Sequence, residues 1–141
     1  MRFYLTPFFI FFAMTVLRLF PLTSFCVALI FYLCFFTPPQ TRLDDVDDID
    51  KLFHFLMYFG TLSLFWWEYW RYTRKHLSWS AMKCFLIAIL CPVLMSGMIE
   101  IMQEYCTDGR RSGDWADFLA NSAGVLTAWF VGRSLFKKLM K

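Results

Sequence analysis

Four apolar stretches, at about residues 20–36, 50–70, 80–104 and 114–135, occupy most of this 141-residue chain, with short polar segments between them. Each is close to the roughly 20 apolar residues an α-helix needs to cross a bilayer's hydrocarbon core. That pattern leaves few folds open, because backbone in lipid finds no water and must satisfy its own hydrogen bonds. Composition points the same way. The chain is 59% hydrophobic and carries 18 phenylalanines, against about 45–50% apolar residues in an average soluble protein even with glycine counted. The sequence therefore predicts an all-α, polytopic membrane helix bundle with four transmembrane helices, and no length is left for a separate soluble domain. Membrane lipid is its expected surrounding.

The first 19 residues form an N-terminal apolar extension, with residues 20–141 as the membrane domain. The apolar run at 3–17 would be only about 22 Å long as a helix, short of a ~30 Å hydrocarbon core. It either lies in the interface or joins the first span across Arg18 and Pro21, and a fifth span remains open. Met1-Arg2 before an apolar run suggests a signal peptide. Neither an A-x-A-like site nor a small residue before Cys26 follows, so cleavage is not expected.

The net charge of +3 says less than the placement of the charges. Arg71, Arg74, Lys75 and Lys83 flank one loop, Lys137, Lys138 and Lys141 follow the last helix, and Arg18 joins them. The positive-inside rule makes these regions cytoplasmic. The Asp-rich segment at 44–50 and the 104–113 loop are then extracytoplasmic. Asp44, Asp45, Asp47, Asp48 and Asp50 lack the glycine and distal glutamate of an EF-hand loop and read as a solvated loop whose last member caps a helix. Pro92 is expected to kink the third span. Cys26, Cys34, Cys84 and Cys91 lie in apolar runs and read as small hydrophobes, and Cys106 as a free thiol. The basic residues sit at helix ends without an aromatic-interleaved patch, so nucleic acid is not an expected partner.

On the outer side three helix ends carry polar stripes. Lys51, His54 and Tyr58 follow Asp50 at i, i+3 and i+7. Glu100, Gln103 and Glu104 stand at i, i+3 and i+4, and Asp114, Asp117 and Asn121 at i, i+3 and i+7. Ionisable groups at this depth are costly unless they face the bundle interior and find partners. Taken singly, Asp114 reads as an N-cap, Asn121 as interhelical glue beside Ser122, Ala123 and Gly124, and Arg110 and Arg111 as solvated loop charges. Taken together, the stripes predict a polar cavity open to the outer surface, with Glu104, Asp108 and Arg110 left as wet loop. A metal site from His54, Glu100 and Asp117 has no HExxH or Cys/His spacing behind it, so neither a metal nor another cofactor is expected. No nucleophile elbow or phosphate loop is present. A transmembrane proton relay lacks a polar path through the cytoplasmic half, where only Glu68 and Lys83 stand near the interface.

These residues resemble the VanZ-like family of small bacterial membrane proteins. Asp50-Lys51-Leu52-Phe53-His54 with Tyr58 matches the family's opening motif, and Glu100-Ile101-Met102-Gln103 its later Glu-x-x-Gln. Arg111, Asp114, Asp117, Asn121 and Gly124 complete the pattern, over about residues 38–132, with the N-terminal extension outside it. The resemblance implies a bundle of membrane helices in the bacterial cytoplasmic membrane. For the family's founding member it implies low-level resistance to teicoplanin, a lipoglycopeptide antibiotic, and it supplies no biochemical mechanism.

Two functions from different classes follow. In the first, the outward cavity binds or modifies a lipid-linked or amphiphilic cell-surface molecule. Lys51 and Arg111 then hold an anionic headgroup, and Asp50, Tyr58, Gln103, Asp114, Asp117 and Asn121 line the site. Glu100, with His54 beside it, is the candidate for acid–base work, since a buried carboxyl group can be tuned for proton transfer. In the second, the chain is a non-catalytic module that limits antibiotic access or partners another envelope protein.

Overall fold

The computed structural model describes residues 14–36, 49–76, 78–107 and 112–139, and it is all-helical over them. Four helices follow in order: α1 (Pro21–Phe35), α2 (Ile49–Thr73), α3 (Ala81–Cys106) and α4 (Trp115–Leu139). All four coincide closely with the apolar stretches in the sequence. Residues 14–19 are also helical and meet α1 through a bend at Phe20 (φ −131°, ψ 59°), where Pro21 supplies the first residue of the new helix. Residues 1–13, and with them most of the 3–17 run, lie outside the described residues, as does the Asp-rich loop before Ile49.

By length and hydropathy alone, one helix among the described residues suffices to cross a membrane: α3, with 26 residues and a mean hydropathy of 2.3. Helix α1 is apolar but only 15 residues long. Helices α2 and α4 have 25 residues each, about 37 Å of helix, but carry charges near both ends and polar residues between them, which lower their hydropathy. The expectation of four spans thus stands on one helix by these measures.

Within α3 the kink expected at Pro92 takes a particular form. Residues Leu86–Leu90 form one π-helical turn, in which the Cys91 N–H donates to Leu86 O. Proline has no N–H and crowds the carbonyl four residues earlier. A widened turn just before it absorbs that misfit without leaving the helix.

The helices alternate in direction, so one end gathers the start of α1, the end of α2, the start of α3 and the end of α4. That end is aromatic and basic. Phe20, Phe65, Trp66, Tyr69, Tyr72, Trp79, Trp129 and Phe136 stack there, while Lys83 lies over Trp79 and Arg133 over Trp129. The Tyr69 hydroxyl accepts the Trp79 N–H at 2.8 Å and ties the end of α2 to the start of α3.

Polar groups are buried among the apolar core, and large apolar side chains face outward. Glu68, Ser96, Glu100, Gln103, Asp117 and Asn121 are buried, while Phe25, Phe53, Leu94, Ile101, Leu119 and Phe130 are exposed. Because lipid removes the hydrophobic incentive for helices to pack, polar bonds and close backbone approach must hold them. Helix α1, with little amphipathic pattern, is pinned at both ends in this way. The Glu68 carboxylate of α2 accepts the N–H groups of Leu22 (2.9 Å) and Thr23 (3.0 Å) and the Thr23 hydroxyl (2.7 Å), capping its N-terminus from another helix. At the other end Gln103 of α3 donates its Nε2 to Cys34 O at 2.8 Å. Replacing Gln103 with leucine is expected to cost about 1–2 kcal/mol by removing this buried bond, measured as the shift of the unfolding midpoint in detergent.

Helices α2 and α4 pack closest of all. Asn121, Gly124, Ala128 and Gly132 lie buried along one face of α4. A β-carbon at Gly124 would stand 2.5 Å from Phe55 O and 3.1 Å from Phe59 N, so the two backbones touch there. This contact lies one turn from Asn121 and sets how near α4 brings its polar stripe to α2.

Candidate functional site

At the end opposite the aromatic cluster, α2, α3 and α4 bring their polar stripes together. The starting point is His54, four residues after Asp50 on α2 and facing α4. Its Nδ1 stands 3.2 Å from Asn121 Oδ1, and its Nε2 lies 3.5 Å from Asp117 Oδ2 and 3.7 Å from Asp50 Oδ1. Asn121 in turn donates its Nδ2 to Ser96 Oγ of α3 at 2.8 Å. An unbroken polar chain thus runs from α2 through α4 to α3. The cluster meets the surface at Asp50, whose side chain is 67% exposed, while those of His54 and Asp117 are 12% exposed.

Glu100 stands one turn along α3 from Ser96. Its Oε2 accepts the Asp114 N–H at 3.1 Å, and it lies within electrostatic reach of His54 and Asp117. Its Oε1 is buried with no hydrogen-bond partner among the described residues, as is Asp117 Oδ1, while the buried Tyr58 hydroxyl lies beside Ser96. Lys51 acts electrostatically on Asp117. Asp114 caps α4, accepting the Ala116 N–H on its side chain at 2.8 Å. This is the plain structural role weighed for it from the sequence.

Several residues sit differently from the sequence reading. Gln103 turns away from the cluster toward the end of α1. Glu104, read as wet loop, belongs to α3 and accepts the Gly113 N–H at 3.1 Å. The metal trio considered from sequence is recomposed: the potential ligand atoms that meet are those of Asp50, His54 and Asp117, all within 4.8 Å of one another. Glu100 is turned to Asp114 instead. Arg111, Arg110 and Asp108 lie outside the described residues. Ser96 was missed, although it stands at i−4 from Glu100 on the same face of α3. Glu68 was read only as interfacial, and its capping of α1 had no local signal.

Two grooves lie elsewhere. One, of about 530 Å³, is apolar and runs between α1 and α2 past Cys26, Leu29, Ile30, Met57, Gly60 and Leu64. The other, of about 290 Å³ at the aromatic end, is lined by Arg18, Glu68, Arg71, Tyr72, Lys75 and His76. The described cysteines are all free, as expected from their spacing.

Helices with buried polar side chains, apolar side chains on their exposed faces and one span apolar enough to cross a bilayer point to a membrane protein. The VanZ/LLP1 family model matches residues 3–137, and the chain belongs to that family. The match takes in most of the N-terminal segment that the motif reading had placed outside the resemblance. No curated protein and no solved structure matches the chain significantly.

Proposed function

We propose that this chain is a multi-pass protein of the bacterial cytoplasmic membrane whose polar cluster faces outward and binds or modifies a lipid-linked or amphiphilic cell-surface molecule. One observation carries the reading. Three helices spend buried polar side chains on the same level, and Glu100 and Asp117 each keep a buried carboxyl oxygen without a partner among the described residues. Helix packing alone does not require such atoms, because a buried polar group left unpaired costs about 1–3 kcal/mol. A ligand's polar head would satisfy them. The basic residues at the opposite end support a cytoplasmic placement of that end, and the apolar exposed faces of all four helices support several crossings. The groove beside Met57 and Gly60, a turn or two deeper along α2 than His54, suits an acyl chain.

In this reading Lys51 and Arg111 hold the headgroup, and Glu100, with a free Oε1 near His54, is the group placed to move a proton. The rival reading, a non-catalytic module that limits antibiotic access or partners another envelope protein, draws on Gln103 and Asp114, both engaged in bonds within the bundle.

The test uses a host in which the wild-type chain alters susceptibility to a teicoplanin-type lipoglycopeptide. Glu100→Gln keeps an acceptor for the Asp114 N–H, and Arg111→Lys keeps the charge while losing the planar fork. Both are expected to reach wild-type membrane levels and to lose at least fourfold of the change in inhibitory concentration. If both insert normally and keep the full phenotype, the cluster is structural glue and the ligand reading is wrong.

A further inference from the structure

We propose that Asp50, His54 and Asp117 form a binding site for one divalent transition-metal ion. The three ligand atoms, Asp50 Oδ1, His54 Nε2 and Asp117 Oδ2, converge from two helices, with Nε2 3.7 Å and 3.5 Å from the carboxylate oxygens. Ligands bound at about 2.0–2.2 Å in a tetrahedral site stand about 3.3–3.6 Å apart. All three atoms lie within 4.8 Å of one another, and the exposed Asp50 carboxylate is the one free to close on a shared ion.

The surroundings of His54 are those of a ligand. Asn121 donates its Nδ2 to Ser96, so the oxygen it turns to His54 is a pure acceptor. An N–H at Nδ1 finds its acceptor there, and Nε2 faces the two carboxylates. Metal-bound histidines are oriented in this way, with the second nitrogen donating to a fixed oxygen.

A second observation is independent of the trio's spacing. Asp117 is nine-tenths buried, and its Oδ1 has no hydrogen-bond partner among the described residues; neither has the buried Oε1 of neighbouring Glu100. His54 and Lys51 both act electrostatically on Asp117, beside the carboxyl groups of Asp50 and Asp114. One imidazole with carboxylates favours Zn²⁺ or Mn²⁺ over Mg²⁺ and Ca²⁺, which prefer all-oxygen shells. Three protein ligands leave positions for water or an anionic oxygen. A cation here would also let so acidic a cluster accept an anionic headgroup. The metal site stands without that reading, since it needs only the side chains named.

The full-length protein, purified in detergent and stripped with chelator, is titrated with Zn²⁺, Mn²⁺ and Mg²⁺ by calorimetry, and bound metal is counted by mass spectrometry. One ion of Zn²⁺ or Mn²⁺ per chain is expected, with Mg²⁺ at least tenfold weaker. Asp50→Asn, at an exposed side chain that leaves the bundle intact, is expected to weaken binding at least tenfold. His54→Gln is expected to abolish it, and Glu104→Gln to leave it unchanged. Binding of less than one ion per chain overturns the proposal, as does wild-type affinity in both Asp50→Asn and His54→Gln. Metal binding with an unaltered phenotype in Glu100→Gln and Arg111→Lys would sink the headgroup reading alone. Loss of that phenotype without metal binding would sink the metal site alone.

Discussion

Glu68→Ala is expected to release the N-terminus of α1 and to lower stability by about 2–4 kcal/mol. The carboxylate accepts two backbone N–H groups and one hydroxyl from α1 at 2.7–3.0 Å, and it is itself buried. Bonds to a charged acceptor contribute about 1.5–3 kcal/mol, and buried donors left without a partner add a desolvation cost of similar size. Water in the adjoining groove, lined by Arg18, Arg71 and Lys75, limits that loss. Glu68→Gln keeps one acceptor oxygen and should fall between wild type and alanine. Thr23→Val removes one bond and should cost about 1 kcal/mol. The midpoint of unfolding in detergent, followed by tryptophan fluorescence, reads all three. If Glu68→Ala unfolds like the wild type, α1 is held by packing and the cap is incidental.

The second large effect belongs to Gly124. A β-carbon there would meet the backbone of Phe55 and Phe59, and backbone cannot rotate out of the way as a side-chain tip can. Gly124→Ala is therefore expected to push α2 and α4 apart and cost about 1–3 kcal/mol, the usual range for overpacking. The separation falls one turn from Asn121, so the 3.2 Å contact between His54 and Asn121 should open with it. Gly60→Ala is the matched control. No atom lies within 4 Å of a β-carbon at Gly60, and alanine's better helix propensity should make that change neutral or stabilising by up to about 1 kcal/mol. Equal losses at the two positions would show that the space beside Gly124 does not govern the packing.

These two cases mark where sequence reading succeeds and where it stops. Gly124 was visible as one of several small residues near Asn121, but that it touches Phe55 rather than another helix was not. Glu68 looked like an interfacial charge, because nothing near it in the chain indicates that α1 begins against it. The same holds in the site. Periodicity put Lys51, His54 and Tyr58 on one face of α2, and Asp117 and Asn121 on one face of α4. It left open which stripe each would meet. Glu100 bonds to the backbone of Asp114, Gln103 serves the end of α1, and Ser96, unremarked in the sequence, completes the chain from His54.

What the sequence determined by itself is the set of helices, their boundaries, the faces that carry polarity and the family motif. These depend on local hydrophobic runs and on the 3.6-residue repeat, which each segment carries within itself. What only the tertiary structure decided is the pairing: Asp50 and Asp117 about one nitrogen of His54, Asn121 on the other, and Glu68 beneath α1. A helix face has no partner until a neighbour is rotated and shifted against it. In lipid, close contacts such as Gly124 on Phe55 fix that rotation, and buried polar groups then take whichever donor or acceptor the packing brings within reach.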